Sequence, residues 1–108
     1  MSERAFHTVA RLSDLPEGCS LRVRIGDEDL ALWRVEGRVY AVTNSCPHQH
    51  APMLHQASRR GLEITCPVHG WTFSLESGRA VNGSGTMQMH AVRIEGDRLM
   101  VEESGPAW

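Results

Sequence analysis

The sequence predicts an all-β protein built from antiparallel strands. Three observations carry that expectation. Apolar and polar residues alternate at period two, most plainly in Leu21-Arg22-Val23-Arg24-Ile25. Short turn signals recur between such runs, as in Gly26-Asp27-Glu28 and Glu36-Gly37. No segment longer than a turn has helical periodicity, although Ala51 to Ser58 could hold one short helical turn.

Taken in order, Phe6 to Ala10 reads as a short strand, and Asp14-Leu15-Pro16-Glu17-Gly18 as a turn punctuated by Pro and Gly. Leu21, Val23 and Ile25 line one face of the next strand. Leu30, Leu32, Trp33 and Val35 mark the one after it. Glu36-Gly37 is a tight hairpin turn into Arg38 to Val42, so three strands read as a meander. The pattern changes from Thr43 to about Asn82, which is loop-rich, with strands over Leu62 to Thr65 and Trp71 to Leu75. Glu76-Ser77-Gly78-Arg79 is a turn, and Asn82 to Thr86 reads as a flexible, Gly-containing loop. Met87 to Val92 is a further strand. Ile94 and Leu99 to Val101 close a hairpin around Glu95-Gly96-Asp97. The tail from Glu102 to Trp108 lacks pattern.

A chain of 108 residues is one domain, 1–108. Its formal charge of −2, with Arg carrying every side-chain positive charge, argues against a nucleic-acid partner. Met1 to Ala5 has no apolar stretch of the signal-peptide kind. No run approaches the roughly 20 apolar residues of a spanning helix, so no membrane role is expected. Three Cys, two of them accompanied by His, fit a reducing compartment better than a disulfide framework. The expected location is cytoplasmic.

The chemistry concentrates in two short loops. Cys46-Pro47-His48 is followed, after the 17 residues from Gln49 to Thr65, by Cys66-Pro67-Val68-His69. Each loop places one thiolate beside one imidazole, and the Pro after each Cys stiffens it. Four such ligands can build a tetrahedral zinc site. They can equally hold a binuclear iron–sulfur cluster with Cys on one iron and His on the other. Structural zinc more often uses loops that carry two Cys each. One Cys and one His per loop suits a cluster whose two irons differ.

These loops resemble the signature of the Rieske [2Fe–2S] family, Cys-x-His followed by Cys-x-x-His. Ala51-Pro52 after the first loop, and Gly70-Trp71-Thr72-Phe73 with Gly78 after the second, extend the likeness. It runs from about Phe6 to Val101. The resemblance implies a Rieske-type antiparallel β-sandwich with an inserted loop-rich cluster-binding subdomain. Basal sheets would occupy about 6–42 and 87–103, and the cluster-binding segment about 43–82. It implies one [2Fe–2S] cluster per chain, with Cys46 and Cys66 on the inner iron and His48 and His69 on the outer, exposed iron.

High-potential members carry an extra Cys in each loop that bridges the two, and Ala51 and Val68 stand at those places here. They also place a Ser and a Tyr after the second loop as donors to sulfur, where this chain has Trp71 and Phe73. Fewer donors stabilise the added electron less, which points to the lower end of the Rieske range of about −150 to about +300 mV. The loop Asn82 to Thr86 lacks the Pro common in the family's cluster cover, so a less shielded cluster is expected.

The remaining candidates have plainer readings. His50 is expected as a surface residue near the cluster, His55 as solvated loop, and His7 and His90 as ordinary strand residues. Cys19 is expected to be a buried thiol rather than a further ligand. Trp33 and Tyr40 read as core, and Met53, Leu54, Met87 and Met89 as packing residues. Arg59-Arg60 reads as a solvated turn, or as a contact for an acidic partner.

The sequence has no nucleophile paired with a base, no phosphate cradle and no open metal position. A one-electron carrier is therefore expected rather than a catalyst on its own. It would pass electrons from a flavin-type reductase to a terminal oxygenase, as in dioxygenase systems. The family's other setting is the small subunit of an NAD(P)H-dependent nitrite reductase, with the large subunit as partner. A structural zinc-binding interaction module is the reading from a different class.

Overall fold

The computed structural model describes residues 6–45, 53–67, 70–82 and 85–102. Ten strands follow in order: β1 (Phe6–Arg11), β2 (Ser20–Ile25), β3 (Glu28–Val35), β4 (Arg38–Thr43), β5 (Ser58–Arg60), β6 (Glu63–Thr65), β7 (Thr72–Ser74), β8 (Met89–His90), β9 (Val92–Glu95) and β10 (Arg98–Glu102). They form three sheets, ordered β1-β10-β9, β2-β3-β4-β8 and β5-β6-β7, and every strand pairing is antiparallel. The chain is all-β, as expected. Among the described residues no helix is long and apolar enough to cross a membrane.

Strand β3 organises the molecule. Leu30, Ala31, Leu32, Trp33 and Val35 are all buried on it. Side chains alternate across a strand, so one continuous apolar run serves two cores. Leu30 and Leu32 pack with Leu15, Ala41, Leu99 and Val101, joining the β2-β3-β4-β8 sheet to β1-β10-β9. Ala31, Trp33 and Val35 face the other way, toward Leu54, Ile64, Cys66, Phe73, Leu75 and Met87. The segment carrying Cys66 is thus packed onto the back of β3.

The β3–β4 turn has Glu36 at φ 53° and Gly37 at φ 79°, as a tight hairpin with right-handed strand twist requires. Glu36 is held there from outside. The Glu17 carboxylate accepts hydrogen bonds from the Glu36 N–H at 2.5 Å and the Gly37 N–H at 2.8 Å. Those two donors, Gly37 first, hold the Glu17 carboxyl below the ordinary carboxylate range.

Residues 53–65 hold more regular structure than their composition suggests. Arg59-Arg60 lies in β5, paired with β6, rather than in a turn. Both Arg are exposed, and the Arg59 guanidinium reaches back to the Gly61 carbonyl at 2.9 Å. The short helical turn expected within Ala51 to Ser58 is a 3-10 turn at Leu54–Gln56. Of the strand expected over Met87 to Val92, only Met89–His90 (β8) and Val92 (the start of β9) are strand; Met87, Gln88 and Ala91 lie outside both. Cys19 corrects an expectation. It is exposed, because its backbone bonds to Pro16 and Arg34 place it at the sheet margin, outside either core.

Candidate metal centre

Cys66 lies just past the end of β6 and is fully buried in the core behind β3. Its N–H donates to the Trp71 carbonyl at 2.8 Å, and its carbonyl accepts the Gly70 N–H at 3.0 Å. Cys66 and Trp71 thus continue the pairing of β6 with β7 by one step, beyond Thr65 opposite Thr72. Gly70, at φ +72°, lets the chain reverse there. Cys46, His48 and His69, with His50, Ala51 and Val68, lie outside the described residues.

Asn82 braces this second loop from the side. Its side-chain oxygen accepts the Thr72 N–H at 2.7 Å, and its amide donates to the Gly70 carbonyl at 3.3 Å. The Val81 N–H donates to the Thr72 carbonyl at 2.7 Å. The start of the loop read as flexible is thus fastened to both sides of Trp71. Sequence reasoning missed Asn82, and only its place beside Gly83 could have hinted at a turn role. Trp71 is half-buried, whereas Phe73 is fully buried among Ile64, Leu75 and Met87. No polar donor stands at Phe73.

The first loop leaves the sheet at Thr43 and returns to it at the turn Leu54–Gln56. Asn44 is buried there. Its N–H donates to the Asp29 carbonyl at 2.8 Å, and its side-chain oxygen accepts the His55 N–H at 3.0 Å. His55 is therefore part of a packed junction rather than solvated loop. Its ring Nδ1 lies 3.0 Å from the Asn44 amide nitrogen and 3.3 Å from the amide oxygen, and its carbonyl accepts from Ser20 Oγ at 2.5 Å. Trp33 donates from Nε1 to the Leu54 carbonyl at 3.1 Å. Outside the junction, Asp29 is paired with the Arg22 guanidinium at 2.6 Å. That bond first, and the Asn44 amide after it, hold the Asp29 carboxyl below its ordinary range.

His90 is a strand residue, as expected, but a connected one. Its Nε2 lies 2.9 Å from Thr43 Oγ1 and 3.8 Å from a Glu28 carboxylate oxygen. It steadies the end of β4, from which the first loop departs.

A buried thiolate donor on a tight turn suits iron and sulfide, which favour soft sulfur ligands. Its apolar surroundings keep water from that side of the site. On this observation the residues present fit an iron–sulfur cluster.

Comparison with known proteins gives the same answer. Residues 5–101 match the family model described as the Rieske [2Fe-2S] domain. The chain is 39% identical over 106 residues to the ferredoxin component of a naphthalene 1,2-dioxygenase system from Pseudomonas aeruginosa, covering 96% of this chain and 100% of that one. A chain from the complex of reduced oxygenase and oxidised ferredoxin of carbazole 1,9a-dioxygenase has 27% identity and a TM-score of 0.82, with 93% and 94% covered. A protein proposed to be the NADH-dependent nitrite reductase small subunit of Mycobacterium tuberculosis gives a TM-score of 0.84 at 21% identity, with 97% and 100% covered. At that identity the likeness is one of fold alone. The chain belongs to the Rieske [2Fe–2S] domain family, and a [2Fe–2S] cluster is its cofactor.

Proposed function

We propose that this protein is the ferredoxin of an oxygenase system, taking one electron from a flavin-type reductase and passing it to a terminal oxygenase. The observation that carries the reading is the 39% identity to the naphthalene dioxygenase ferredoxin component, over 96% of this chain and all of that one. The buried, braced turn at Cys66 supports it, because it gives one half of the ligand set a rigid apolar seat. Cys46, His48, Cys66 and His69 are the ligands, and the segment 43–82 is the unit that carries them. The cluster supplies a site that cycles by one electron between two ferric irons and a mixed-valence pair.

The protein's own residues then have separable tasks. Asn82 holds the peptides on either side of Trp71, and so the turn that follows His69. Phe73 and Leu75 exclude water behind Cys66. With Phe73 apolar, fewer donors reach sulfur, which sets the potential toward the lower end of the family's range. The partners, by this reading, are redox proteins that approach the loop end of the molecule.

Iron and sulfide analysis with EPR of the reduced protein tests the cofactor and its ligands together. The expected result is two irons and two sulfides per chain, a rhombic signal, and loss of both in C66S. Reconstitution with oxygenase components tests the assignment. Electron delivery only to a sirohaem nitrite reductase subunit, and never to an oxygenase, would refute it.

A further inference from the structure

Among the described residues Asn44 is the single polar residue in the buried class, at 2% exposure. It stands two positions before Cys46. Its side chain does two jobs at once. The amide nitrogen donates to Asp29 Oδ1 at 3.3 Å, while the amide oxygen accepts the His55 N–H at 3.0 Å. The second bond joins residues 11 apart in sequence, and both proposed ligands of the first loop lie between them.

We propose that Asn44 is a positioning residue, a clasp that closes the first ligand loop at its base and so fixes the ligands it carries. This rests on the assignment of Cys46 and His48 above. The far side of the junction is already anchored. Trp33 holds the Leu54 carbonyl and Ser20 holds the His55 carbonyl, both from the sheet containing β3. Asn44 supplies the remaining connection, between the strand that leaves and the turn that returns.

Only an amide meets this need. Aspartate would keep the acceptor for His55, lose the donor to Asp29, and set a second carboxylate beside it. Alanine would leave the His55 N–H without its partner and take one of two donors from Asp29 Oδ1, the other being Arg22 Nε at 3.0 Å. A loop open at its base samples more geometries and admits water. Ligand geometry and water access both act on the electronic structure and retention of a metal site.

The test compares the cluster-loaded wild type with N44A, N44D and V101A. Val101 is fully buried in the other core, which includes none of the described residues between 44 and 55, so V101A lowers stability away from the junction. Iron release to a chelator is followed well below the unfolding temperature, and the reduced proteins are compared by EPR. For N44A the expected result is release about tenfold faster than in wild type, with displaced g-values, the loss of buried bonds setting that scale. V101A is expected to keep the wild-type release rate and g-values. If N44A does not fold, N44D decides, with the same displacement of g-values and faster release. Wild-type release and g-values in the folded Asn44 variants would overturn the clasp. Cluster retention in C46S would instead overturn the ligand assignment, so the two failures are distinguishable.

Discussion

Replacing Gly78 with alanine tests how tightly the turn after β7 is packed against Met87 and Met89. Gly78 is buried at φ +79°, and an added Cβ would lie 2.8 Å from the Met87 carbonyl oxygen and 3.0 Å from Met89 Cγ. The backbone has little room to retreat. The Gly78 N–H donates to the Ser74 carbonyl at 2.7 Å, and the Gly78 carbonyl accepts the Met87 N–H at 2.7 Å. The left-handed backbone costs an alanine about 1–2 kcal/mol, and the forced contact a further ~1–3 kcal/mol. The combined loss, about 2–5 kcal/mol, corresponds to a fall in melting temperature of roughly 8–20 °C for a domain of this size. Gly96 provides the control, since at φ +62° nothing lies within 4 Å of its added Cβ. G96A should show only the backbone cost, about 1–2 kcal/mol. The assay is thermal unfolding of the cluster-loaded proteins, followed by far-UV circular dichroism and visible absorption. Equal stability of G78A and G96A would refute the reasoning, because the clash at Met87 would then cost nothing.

Other outcomes follow from single contacts. W33F removes the donor to the Leu54 carbonyl and should cost about 1–3 kcal/mol in chemical denaturation. L99A opens a cavity in the core that lacks Cys66; it should cost about 2–5 kcal/mol while leaving the EPR spectrum unchanged. F73Y should raise the reduction potential measured by spectroelectrochemistry, if its hydroxyl reaches the sulfur donor position, and a fall would contradict the donor argument. The depressed Asp29 carboxyl gives stability that is present above the ordinary carboxylate range and lost as pH falls through its folded pKa. D29N should therefore flatten the acid limb of a stability–pH curve. The effect should stay below about 1 kcal/mol, since the partner Arg22 is exposed to solvent.

The residues show why some of this was legible and some was not. Alternation exposed β2, and the apolar run from Leu30 to Trp33 marked a strand, but only the packing reveals that both of its faces are covered. Period-two patterning signals one buried face, and a strand buried on both faces loses the polar half of that signal. β5 was missed because Ser58, Arg59 and Arg60 are all exposed. Its existence depends on pairing with β6, which local sequence does not encode. Cys66 stood out because its spacing to His69 is one that metal ligands use. Asn44, His55 and Asn82 were not, since one side chain bonding to a backbone 10 or 11 residues away leaves no periodic trace.

The two cores divide the labour in a way that the position of Cys66 makes physical. Among the described residues, the core containing Leu99 and Val101 holds only aliphatic and alanine side chains, and it joins the β2-β3-β4-β8 sheet to β1-β10-β9. The core behind β3 includes Cys66 itself, beside Phe73 and Leu75. As the proposed ligand, Cys66 could not shift with a change of cluster charge without disturbing close-packed neighbours. Rigidity around the site is then a product of packing rather than of the ligands alone. β3 carries that rigidity to the scaffold, because Trp33 belongs to the same core and donates to the Leu54 carbonyl at the base of the first loop. One strand thus backs the Cys66 side through its apolar face, and holds the two ends of the first proposed ligand loop through the Trp33 indole N–H and through Asp29, which accepts from Asn44. A carrier that must gain and lose an electron with little rearrangement needs both loops referred to a common support, and β3 is that support.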